Sequence, residues 1–188
     1  MTSLKNITLF SLLTMLSASA SAGMDRSSQS IDQKIAANHL DKRSVSIYIS
    51  KIAHTLTLKI GDFTLKEYKC VFGGNPISDK KCEGDQCTPE GVFHIQSKYP
   101  HSDWDKFMWI DYPNKESWRK FETNKQQGKV PHNATIGGSI GIHGVPNNRS
   151  DLIDKSINWT LGCISLKDED VDEIYNYVSA GTEVIITK

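Results

Sequence analysis

The sequence has no apolar run long enough to cross a bilayer as a helix, which takes about 20 residues; its longest candidate, Ile7 to Leu16, is far shorter. Neither charge is in excess, with Lys+Arg 22 against Asp+Glu 22, so no basic face offers itself to nucleic acid. Cysteine is scarce. The four residues Cys70, Cys82, Cys87 and Cys163 contain no Cys-x-x-Cys pair, which argues against a thiol redox protein, and none lies near residue 22 to carry a lipid anchor. His39, His54, His94, His101 and His132 lack metal-ligand spacing with acids or cysteines, so neither metal nor cofactor is expected. No arginine follows Cys163, and no internal repeat is present.

What is present begins with an export signal. Met1-Thr2-Ser3-Leu4-Lys5 is a basic start, Ile7 to Leu16 an apolar core, and Ser17 to Ala22 a small-residue segment ending in Ala-x-Ala. Cleavage is expected after Ala22, with secretion across an inner membrane to a periplasm. Loss of Lys5 leaves 21 basic against 22 acidic residues. Residues 1–22 are thus read as signal peptide, 23–43 as a linker with a short helix, and 44–188 as one domain. An oxidising compartment favours pairing of Cys82 with Cys87 across Glu83-Gly84-Asp85-Gln86, leaves Cys70 as a buried small hydrophobe and Cys163 as a free thiol.

Periodicity gives the elements. Ser30 and Gln33 form a possible capping pair for a leading helix carrying Ile31, Ile35 and Leu40. Strict alternation at Val45, Ile47 and Ile49, then at Leu56, Leu58 and Ile60, predicts two strands joined near Ala53-His54. A third runs from Phe63 to Phe72, completing an antiparallel meander. Thr88-Pro89-Glu90-Gly91 turns into a strand over Val92 to Ile95, and Asp79, Glu83 and Asp85 read as a solvated turn. The polar, aromatic stretch 97–134 is either a surface excursion pinned by its rings or a lid over substrate. Ile136 to His143 suits a buried strand. Asp168 is placed to cap a helix with apolar face Val171, Ile174, Tyr175 and Val178, ended by Gly181, before a last strand over Thr182 to Thr187.

Chemistry concentrates between Gly141 and Leu166. A histidine closing an apolar run, His143, and a cysteine behind a glycine, Gly162-Cys163, supply a base, a thiol nucleophile and backbone free to approach an acyl oxygen. The histidine comes first by 20 residues, opposite to the papain-like order. His143-Gly144 followed by Thr160-Leu161-Gly162-Cys163, with the meander, the Gly84-Asp85 to Gly91 segment and Tyr112-Pro113-Asn114, resembles the L,D-transpeptidase (YkuD-like) family of peptidoglycan enzymes from Val45 to the C-terminus.

That resemblance implies a mainly β fold with short helices, an L,D-transpeptidase-like β-sandwich with a capping C-terminal helix. It implies that Cys163 attacks the carbonyl of the third stem-peptide residue, a diamino acid, and expels D-alanine to leave a thioester. His143 would be the base, oriented by the Gly144 carbonyl, with backbone N–H groups of Gly162 and Cys163 binding the oxyanion. Partners would be peptidoglycan stem peptides or a wall-attached protein.

Ser165 stands where the family's commonest form has arginine, so the sequence resembles a divergent branch. Arg149, or more weakly Arg119, is a candidate replacement for gripping a substrate carboxylate, and Tyr112, Thr160 and Ser165 are further candidate substrate contacts. Thr160 is expected to order its loop rather than react. An amine acceptor makes a transpeptidase and water an L,D-carboxypeptidase or amidase. A catalytically silent wall-binding module would keep the fold, and a sortase would need the missing arginine.

Overall fold

The structure, a computed structural model, describes residues 29–188. The proposed signal peptide lies outside the described residues.

The Ser30–Gln33 pair does form a reciprocal capping box, and α1 runs Ile31–Ala37 with Ile31 buried beneath it. β1 (Val45–Ser50) pairs antiparallel with β2 (Thr55–Ile60), and β2 with β3 (Phe63–Lys69). Register sets Ile47 opposite Leu58 and Ile49 opposite Leu56, all four fully buried. Each such side chain contributes about 1.5–3 kcal/mol, so a one-residue slip would expose the whole set.

β8 (Glu183–Thr187) lies parallel to β1, and β4 (Gly91–His101) runs antiparallel to β8. β5 (Asp105–Ile110), β6 (Gly141–His143) and β7 (Ile164–Ser165) follow, giving one mixed sheet ordered β3-β2-β1-β8-β4-β5-β6-β7. The sheet curls on itself: beyond β3, Val71 and Ser165 exchange two backbone hydrogen bonds of 2.9 Å, joining the first and last strands. Phe72, Phe93, Ile95, Met108, Ile142 and Ile164 fill the curl. α3 (Asp151–Asp154) is one short turn that buries Leu152 and Ile153, and α4 (Asp168–Tyr175) packs against β5 and β6, burying Val171 and Ile174. No helix of the described residues is long and apolar enough to cross a membrane.

Several boundaries differ from expectation. The stretch 97–134, expected as a pinned surface excursion or a lid, is largely regular structure. It holds the second half of β4, all of β5 and α2 (Lys115–Gln126), whose N-cap Asn114 accepts N–H bonds from Glu116 and Ser117. Met108, Ile110 and Phe121 anchor it in the core. Ile136 to Ile140 is not strand, because Gly137 (φ +78°) and Ser139 (φ +57°) are left-handed and break pairing until Gly141. Asp168 is the first residue of α4 rather than its cap, and the helix ends before Gly181.

Candidate active site

His143 ends β6 opposite Phe107 of β5, and the two rings stack at 5.7 Å. Trp104 stacks at 4.7 Å, and Trp159, seated on Val71, Val145 and Ile153, meets the imidazole edge-on at 5.6 Å. Enclosed this way, His143 is only 2 % exposed. Its Nδ1 lies 2.7 Å from the Gly144 carbonyl oxygen. A carbonyl only accepts, so Nδ1 carries the proton and donates, and Nε2 keeps its lone pair.

Burial lowers the His143 pKa to about 4, the Gly144 carbonyl pulling it up and His101 pressing it further down. The unfolded imidazole titrates near 6.5, so between these values the unfolded chain binds more protons. Stability from this residue is therefore complete above pH 6.5 and lost as pH falls to 4, about 3 kcal/mol in all. Urea unfolding at pH 7 and pH 4 should show that loss, and His143→Gln should flatten it.

Cys163 sits between Gly162 and β7. Its sulfur is directed at the Ser139 carbonyl, 3.4 Å away. Burial raises the thiol pKa to about 11, against the pull of the Gly141 backbone N–H and of Lys80. His143 and Cys163 both open on one cavity of about 590 Å³, walled by Trp104, Trp159, Ile140, Leu161 and the backbone of Gly137 and Gly138. The cavity therefore pairs an uncharged thiol with an uncharged imidazole. Gly162 adopts φ +138°, and a Cβ there would stand 2.8 Å from the Cys87 carbonyl oxygen, so glycine is required for the chain to pass.

The other expected residues divide. Thr160 orders its loop: its Oγ1 donates to the Cys163 carbonyl at 2.8 Å and accepts the Gly162 N–H at 3.2 Å. That bond commits the Gly162 N–H, which corrects its expected place as an oxyanion donor. Arg149 does not reach the cavity; it pairs with half-buried Asp151 at 2.6 Å, and Arg119 pairs with Glu116 on α2. Tyr112 is buried and donates to the Ile136 carbonyl at 3.2 Å, a structural bond in place of substrate contact.

Ser165 is also buried, and its Oγ donates to the Gly144 carbonyl at 3.0 Å, so one carbonyl accepts from both Ser165 and His143. Ser165→Ala should lower stability by about 1 kcal/mol in chemical unfolding, the worth of one such bond.

The disulfide expected between Cys82 and Cys87 is not formed; both thiols are free. The loop is closed instead by Asp85, whose carboxylate accepts the backbone N–H groups of Lys81, Cys82 and Cys87 and pairs with Lys80 at 2.8 Å. Asp85 is therefore a structural hub, where a solvated turn was expected. Cys70 is fully buried.

A model of the L,D-transpeptidase catalytic domain matches residues 44–186. The chain belongs to the L,D-transpeptidase catalytic domain family. Among solved structures, it is similar to the helical cell shape determining protein Pgp2 of Campylobacter jejuni, at 26% identity and TM-score 0.58 over 77% of this chain and 48% of that one. A Bdellovibrio bacteriovorus protein matches at 19% identity and TM-score 0.51, over 77% of this chain and 48% of that one. L,D-transpeptidase 3 of Mycobacterium tuberculosis, in complex with a faropenem-derived adduct, matches at 17% identity and TM-score 0.52 over 77% and 60%. These last two share the fold. The chain spans about half the length of Pgp2, and no curated protein matches it in sequence.

This L,D-transpeptidase-family site includes residues that pattern reading passed over. Trp104 and Phe107 lie within the aromatic stretch 97–134 and stack on His143. Ser139 and Lys80 carry no local signal, since both sit in loops whose place at the site depends on the folded chain.

Proposed function

We propose that this protein is an exported cysteine acyltransferase of the periplasm that acts on peptidoglycan stem peptides. One observation carries the reading: Cys163 and a His143 held in a defined tautomer by Gly144 face the same cavity. As the thiol attacks the carbonyl of the third stem residue, its proton passes to His143 Nε2. The same proton then goes to the departing amine of D-alanine, leaving a Cys163 thioester. With Gly162 N–H committed to Thr160, the Cys163 N–H is the oxyanion donor. A second amine resolves the thioester by transpeptidation, and water resolves it as an L,D-carboxypeptidase.

Mass spectrometry of the mature protein incubated with a disaccharide-tetrapeptide, with and without an amine acceptor, tests the reading. Amine-exchanged product identifies a transpeptidase and tripeptide alone a carboxypeptidase. An intact substrate, with Cys163 shown to be reduced, would refute both.

A thiol held near pKa 11 reacts slowly with iodoacetamide at neutral pH, and the rate should climb about tenfold per pH unit until the thiol ionises. A rate already constant below pH 8 would mean a preformed thiolate–imidazolium pair.

A further inference from the structure

We propose that Glu83 makes the cavity a recognition site for a primary ammonium group, the chemistry of a diamino acid side chain or of an amine acceptor. Four ionisable side chains line the cavity: Lys80, Glu83, His143 and Cys163. Lys80 is neutralised by Asp85 and also donates to the Cys82 carbonyl at 3.1 Å. The imidazole and the thiol are both uncharged near neutral pH. Glu83 is left as the uncompensated charge of the wall. No lysine, arginine or histidine among the described residues forms an ion pair with it. Glu83 is exposed and lines the cavity beside Ile140, Leu161, Trp104 and Trp159, so its charge acts on an entering cation with the strength of a solvent-exposed pair.

Glu83 is also held in place before any ligand arrives. Its backbone N–H donates to the Thr135 carbonyl at 2.8 Å, and the Thr135 hydroxyl donates to its Oε2, leaving Oε1 free. Gly137 permits the approach: a Cβ there would stand 3.2 Å from both Cα and Cβ of Glu83. Two residues further along the same wall, Ser139 contacts the Cys163 sulfur. An ammonium at Glu83 Oε1 would therefore anchor a peptide across the cavity from a fixed point, with its ordering cost partly met in advance.

The kinetic arm rests on the acyl-transfer reading, and the binding arm does not. Wild type and Glu83→Gln, which still accepts the Thr135 hydroxyl, are compared on disaccharide-tetrapeptides with the diamino side chain free or N-acetylated. Wild type is expected to favour the free amine in KM by roughly three- to fivefold, the size of an exposed charge pair, and the variant to lose that preference. A variant with unchanged donor KM but weaker dependence on acceptor amine concentration would assign the same site to the acceptor. No change in either dependence overturns the proposal.

Should wild type cleave neither donor, the acyl-transfer reading fails. The site is then read from protection of Cys163 against iodoacetamide by a lysine-containing tripeptide. Protection by the free but not the acetylated peptide, lost in Glu83→Gln, supports an ammonium site; equal protection, or none, refutes it.

Discussion

Cys163→Ala is expected to abolish release of D-alanine, by about a thousandfold or more, while leaving the fold intact. The loss is large because no other group can take the sulfur's place. Cys70 is fully buried, and burial raises the thiol pKa of Cys82 and of Cys87, which in addition faces the Asp85 carbonyl rather than the cavity. Removing a covalent nucleophile from a site that keeps its base and its binding surface typically costs several orders of magnitude. The fold should survive because the sulfur makes one weak bond, to the Ser139 carbonyl, and Cys163 is only partly buried. A thermal midpoint close to wild type together with a lost D-alanine signal is the predicted pair of results. Turnover retained in Cys163→Ala would sink the mechanism. Turnover absent from wild type, with stem peptides still bound, would identify a silent wall-binding module.

Where local chemistry decides conformation, the sequence was readable. Ser30 and Gln33 cap a helix through bonds that span three residues, and the alternation from Val45 to Ile60 reports one buried and one wetter face. His143 and Cys163 could be paired in advance because their residue types and order belong to few chemistries. The stretch 97–134 failed because Phe107, Trp104 and Tyr99 stack toward the site while Met108 and Ile110 enter the core, so both faces of β5 are apolar and alternation disappears. Arg149 was misplaced for a related reason: position in a loop between two site residues says nothing about reach, and Asp151, two residues on, captures its guanidinium. Cys82 and Cys87 looked like a staple because a short loop lies between them, but the carboxylate within that loop closes it. Ser165 illustrates the limit most clearly. Its place after the cysteine suggested substrate, yet parallel pairing of β7 with β6 sets it beside His143 and turns it toward the Gly144 carbonyl.

Gly144→Ala should damage stability and catalysis together, which separates it from Cys163→Ala. A Cβ at residue 144 would fall on Asp168 Oδ1 and stand 2.8 Å from the Trp104 carbonyl oxygen. Neither neighbour can yield cheaply. Asp168 Oδ1 accepts the Val145 N–H at 2.9 Å, and the Trp104 carbonyl accepts the Gly144 N–H at 3.0 Å. Accommodating the methyl group means either swinging Asp168 away, which leaves the Val145 N–H without its acceptor, or shifting residue 144, which moves the carbonyl holding both His143 and Ser165. Overpacking of this kind costs about 1–3 kcal/mol, and an unmade bond at a partly buried donor adds about 1 kcal/mol or more. For a chain of this length the thermal midpoint should fall by roughly 5–12 °C. D-alanine release at a temperature where the variant remains folded should fall at least about tenfold, because the imidazole loses the acceptor that fixes its tautomer. Asp168→Ala in the Gly144→Ala background clears the clash with the carboxylate. If that clash is the cause, the double variant recovers part of the activity but not the Val145 bond. Recovery of neither would place the defect at the Trp104 carbonyl, and an unchanged midpoint in Gly144→Ala would contradict the close packing that holds His143 in place.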